Sequence, residues 1–244
     1  MELARYNLKI VLPTLLWTGI LVGILVALIL FAQFRWSGTF AEETAASLAE
    51  QVIPLIAAFF AAGVLDAEMK RGAHELLRSK RRPLWQTVAF RLGAALAISL
   101  AVGWGMLAAL HLGIRRVPLG TLLLVSIPPS LCLALVSLWV RIRLGNAFIG
   151  YTVALAVWLF QVLIGGTSAL PGFQFNPLRN LGVHLNPLLT FSSYTDRVAA
   201  AAAGALETTP YVDWWWVSKI ALLVVSLGLF ASITRRVEQL VEGD

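Results

Sequence analysis

Runs of about twenty residues without charge, repeated along the chain, limit what it can fold into more than any other feature. A helix needs about 20 residues at 1.5 Å each to cross a hydrocarbon layer of about 30 Å. Spans are expected near Ile10–Phe34, Ala45–Leu65, Thr87–Leu112, Leu119–Val140, Asn146–Leu170 and Trp214–Thr234. In a bilayer every backbone N–H and C=O must be bonded within the protein, so these runs predict helices. With 59% apolar and 13% charged residues among 244, too little charge remains to cover a soluble surface. The fold class expected is an all-α integral membrane domain of six transmembrane helices, occupying residues 1–244.

The first run is longer than the apolar core of a signal peptide, and no small-residue cleavage site follows it, so a retained span is expected. Two spans are short of uncharged residues. Only 15 separate Glu50 from Asp66, and 15 separate Lys219 from Arg235. Each reaches full length if Glu50 or Lys219 sits near an interface and snorkels. An interfacial position is expected for Glu50; the alternative is an acid facing an internal cavity.

Charge then orients the bundle. An even span count puts both termini on one side. With that side cytoplasmic, 13 Lys and Arg lie inside and six outside, while the acids divide seven to six. Lys and Arg, and not the acids, steer insertion. Trp36 and Trp214–Trp216 fit an outer aromatic belt. The net charge of +6 is thereby assigned to topology, and no nucleic-acid partner is expected.

Motifs for soluble chemistry are missing. The sequence has no GxxxxGK[ST] loop and no HExxH, and its single cysteine, Cys132, lies in an apolar run. His74, His111 and His184 fall in three separate regions, so solvated or interfacial histidines are expected and no metal site. Gly103, Gly105, Gly165 and Gly166 read as small residues for close helix packing. Pro128-Pro129 predicts a kink packed among neighbours, or a broken helix along a substrate path. Pro171–Asp213, between spans five and six, holds few charges but two Asn-Pro-Leu triplets. It is expected to form short re-entrant helices against the outer leaflet rather than a solvated loop.

The segment Asp66–Leu84 stands apart: polar, basic and spaced as a helix, with Lys70, Arg71, Arg78, Lys80, Arg81 and Arg82. Lys80-Arg81-Arg82 can serve as a topogenic run or meet anionic head groups. Within the segment, Glu68, Gly72, Glu75, Leu76, Leu77 and Ser79 resemble the pattern E-x-x-x-G-T-x-E-x-L-L-x-S-x-P of ABC-2-type transporter permeases. Ala73 and Arg81 depart from it. Asn186-Pro187-Leu188 looks like that family's second signature.

The resemblance implies a cytoplasmic coupling helix between spans two and three, touching an ATPase through Glu68, Gly72, Glu75, Leu76, Leu77 and Ser79. It implies two ATP-binding cassette subunits carrying ATP and Mg, because this chain has no nucleotide-binding motif and is not itself an enzyme. It also implies a second permease subunit, identical or similar, and location in the cytoplasmic (inner) membrane of the cell among its lipids. The function implied is export of a hydrophobic or amphipathic substrate: a lipid, drug, peptide antibiotic or glycan. A scaffold or sensing subunit that transports nothing is the alternative. Phe59, Phe60 and Phe160 are candidates for an apolar substrate path, and Asn186, Pro187 and Leu188 for an outer gate.

Overall fold

The computed structural model describes residues 45–65, 84–113, 116–166 and 215–242. Among them are helices and no strand. Five helical segments follow in order: α1 (Ala45–Gly63), α2 (Leu84–Gly113), α3 (Leu119–Leu144), α4 (Ala147–Gly166) and α5 (Trp215–Glu242). Four of them, α1, α2, α3 and α5, are long and apolar enough to cross a membrane, and α4 contains a shorter apolar stretch, Phe148–Phe160. The chain is therefore a multi-pass helical membrane protein. The expected first span, the cytoplasmic segment and the re-entrant helices lie outside the described residues.

α1 is the most enclosed of the described membrane-length helices. Within its apolar window 83% is buried, against 28% for α2 and for α5. Its alanines, Ala57, Ala58, Ala61 and Ala62, let neighbours come close, and α2, α3 and α4 all pack on it. Gly103 of α2 extends this logic: a Cβ there would stand 2.4 Å from Ile53 Cγ1. Gly105, read from sequence as a second packing glycine, faces open space. A similar approach joins α3 to α4, where a Cβ on Gly150 would meet the Ser137 carbonyl oxygen at 2.9 Å.

α3 runs unbroken through Pro128 and Pro129, both buried, so the double proline does not divide the helix. Nearby hydroxyls join the local bonding: Ser126 Oγ donates to the Leu123 carbonyl at 2.7 Å, and Ser130 Oγ to that of Ser126 at 2.6 Å. Ser126 Oγ also accepts from Trp104 Nε1 at 3.0 Å, tying α3 to α2. The helix ends at Gly145, whose φ of 67° is the left-handed cap that glycine tolerates. Asn146 then starts α4, its Oδ1 accepting from the Phe148 amide at 2.9 Å. The α2–α3 connection is fastened by His111, whose Nδ1 lies 3.1 Å from the Val117 amide and 2.9 Å from its carbonyl oxygen. Either tautomer closes that turn.

Two helices outrun their apolar spans. α3 continues past Val140 to Leu144 and α5 past Thr234 to Glu242. Both extensions carry arginines that hydropathy reads as span ends. Helices need not stop where hydrocarbon does, and buried Ile142 and Val237 keep these last turns on the bundle.

Candidate functional site

Two layers of buried charge lie at opposite ends of α1. At its start, Lys219 Nζ of α5 forms an ion pair with Glu50 Oε1. Glu50 is 1% exposed and Lys219 5%. The sequence suggests that each charge escapes separately to an interface; instead the two meet inside the bundle. Snorkelling gives way to pairing because a charge held in hydrocarbon is costly and an opposite charge is within reach.

The backbone at this layer is irregular. Leu48–Val52 forms a π turn, in which the amide of Ile53 reaches back five residues to the Leu48 carbonyl. Pro54 explains the widening: it has no N–H to give the carbonyl four residues earlier, and its ring crowds that position. A wide turn leaves a carbonyl in need of a donor, and Trp158 Nε1 of α4 supplies one to Gln51 at 2.9 Å. Side chains from α4 and α5 thus hold one turn of α1 from two sides. Further along α1, Phe59 stacks on Tyr151 of α4 with centroids 5.4 Å apart.

At the other end of α1, two arginines cap the helix. Arg91 Nη1 donates to the Val64 carbonyl at 3.3 Å, and Arg141 Nη1 donates to that of Ala62. They are 2% and 3% exposed. The last carbonyls of a helix have no partner within it and carry the negative end of its dipole, which suits guanidinium donors. From Glu50 to Ala62 is about 18 Å along a helix at 1.5 Å per residue. Centred in about 30 Å of hydrocarbon, α1 would hold each layer about 9 Å from the midplane, too deep for unpaired charge.

Of the residues proposed for a substrate path, Phe60 is buried in the core at 2% exposure, and Phe59 is half-buried against Tyr151. Phe160 is 60% exposed on α4. Glu68, Gly72, Glu75, Leu76, Leu77, Ser79, Asn186, Pro187 and Leu188 lie outside the described residues, as do His74 and His184. Among the described residues no group of three or more His, Cys, Asp or Glu comes together as a metal site. Cys132 is buried against Leu222.

Reading the sequence helix by helix misses the ion pair, yet a signal for it exists. Glu50 and Lys219 each lie five residues into a span that starts on the same expected side, so their depths match. The arginine cap has no such signal, because Arg91 and Arg141 satisfy the orientation rule without any further role. No protein-family model, curated protein or solved structure matches the chain.

Proposed function

We propose that this chain is the membrane-spanning subunit of an ATP-driven exporter of the ABC-2 permease type. It would move a hydrophobic or amphipathic substrate with energy from separate ATP-binding subunits. The observation that carries the reading is the stretch Glu68–Ser79, in which Glu68, Gly72, Glu75, Leu76, Leu77 and Ser79 match the coupling pattern of such permeases. A helical multi-pass bundle is the architecture this reading needs. A rigid cytoplasmic helix bearing both charge signs, joined to spans two and three, can pass a rigid-body motion of the ATPase into the membrane. On this reading α1 and α2 are those spans, held together at Gly103–Ile53 and by Arg91 on Val64. Phe160, outward on α4, is the member of the expected aromatic wall open to a second copy or to substrate.

The test is purification of the chain with its native partners. Nucleotide hydrolysis by a co-purifying subunit, stimulated by a lipid or drug, is expected, and Glu75→Lys should abolish the stimulation while leaving membrane insertion intact. A complex whose hydrolysis ignores every such compound, or in which Glu75→Lys is silent, refutes the reading. A purified complex that hydrolyses ATP but moves nothing would instead identify a scaffold or sensing subunit.

A further inference from the structure

We propose that the C-terminal ends of α3 and α5 form a binding site for the phosphate of an anionic lipid head group, built from Arg143 and Arg236 on either side of Trp139. The two helices run in the same direction. Cys132 packs on Leu222, and further along both chains Trp139 Nε1 donates to Ser232 Oγ at 3.1 Å. Arg143 follows Trp139 by four residues and Arg236 follows Ser232 by four. In a helix this places each arginine one turn beyond its partner on the same face. Because the helices are parallel, both arginines lie at one end of the bundle, beyond a hydrogen bond that fixes the seam between the helices.

Arg143 is already oriented: its guanidinium lies over the Trp139 ring, 5.2 Å from the centroid. Stacking leaves its N–H edge available and lowers the entropy lost on binding an anion. Arg236 is partly buried, with its Nε shut away from solvent and without an acceptor. Among the described residues neither arginine has a carboxylate partner, and Glu238 and Arg235 beside them are exposed. Two cations of like sign at one seam, one of them partly desolvated, call for a shared anion. Guanidinium groups match the oxygens of a phosphate in pairs.

A lipid supplies that phosphate at the right depth. An indole at the end of a spanning helix marks the head-group level, and basic pockets between helices on the cytoplasmic side bind anionic head groups. The charge bias of the chain assigns this end to the cytoplasm. Unlike Arg91 and Arg141, which bond carbonyls of α1, Arg143 and Arg236 bond no backbone carbonyl among the described residues.

The full chain in neutral detergent is titrated with phosphatidylglycerol, with phosphatidylcholine and with inorganic phosphate. Binding is read by native mass spectrometry and by the rise in melting temperature. Retention of phosphatidylglycerol above phosphatidylcholine is expected, with no rise from inorganic phosphate. The double variant R143Q/R236Q should bind phosphatidylglycerol about thirtyfold more weakly, equivalent to about 1 kcal/mol per arginine at 1.4 kcal/mol per tenfold. Its melting temperature without lipid should match the parent protein, and R235Q should keep parental affinity. Equal affinity of R143Q/R236Q and parent overturns the proposal, as does equal retention of the two lipids. A shift produced by free phosphate alone would reassign the site to a soluble anion and also overturn it. If R143Q/R236Q does not fold, R143Q and R236Q are titrated singly. Each should lose about fivefold by the same figure, and parental affinity in both is refuting.

Discussion

Replacing Glu50 by Leu should destabilise the bundle far more than replacing Glu50 and Lys219 together. The carboxylate and ammonium are both almost wholly buried, so solvent screening offers little relief when one is removed. Breaking a buried ion pair from one side costs about 3–5 kcal/mol, because the surviving charge keeps its desolvation cost and loses its counter-charge. Glu50→Leu and Lys219→Met are each expected to cost that much. Both replacements preserve side-chain bulk, so little of the loss comes from a cavity. In the double variant no charge remains to be desolvated, and its stability should return to within about 1 kcal/mol of the parent or exceed it. The cycle is measured by reversible unfolding of the detergent-solubilised chain, with four proteins under one condition. The coupling energy expected is several kcal/mol and opposite in sign to the single losses. If the two losses simply add in the double variant, then Glu50 and Lys219 act independently, and mutual pairing is not what holds them inside the bundle.

A Cβ at Gly103 collides with Ile53, whereas one at Gly105 meets open space. Gly103→Ala should therefore destabilise by about 1–3 kcal/mol through overpacking, and Gly105→Ala should be neutral or stabilising by up to about 1 kcal/mol through helix propensity. Thermal unfolding of the two variants side by side checks the contrast. Arg141→Met removes a charged donor from the Ala62 carbonyl, and a loss of about 1.5–3 kcal/mol is expected. Reporter fusions at both termini should show that the variant keeps its topology, because twelve of the expected inner cations remain.

Much of the helical architecture is legible in the sequence because its cause is local. A charge-free run in a bilayer has few conformations that satisfy its backbone, so the described parts of these runs are helical, and four of the helices are long and apolar enough to cross a membrane. Their ends are less legible. Arg141 and Arg143 look like the end of a span, but one is drawn into the bundle by the carbonyls of α1 and the other lies on Trp139. Gly145 and Asn146 announce the α3–α4 turn in residue types alone, one by its left-handed φ and the other by its capping oxygen.

The candidate sites divide along the same line. Composition and spacing by themselves determined a helical membrane chain, the double proline within one span, and two spans compromised by an embedded charge. They could not say that these two charges are one feature. Matching depth permits Glu50 and Lys219 to meet, but only the packing of α5 beside α1 brings them together, and no pattern within either helix encodes that adjacency. The π turn at Leu48–Val52 is partly local, following from Pro54, while the donor that completes it comes from Trp158 on another helix. The same holds for the arginine cap and for the seam at Trp139: residue types set what each side chain can bond, and only the tertiary arrangement decides which acceptor lies within 3 Å or so of it.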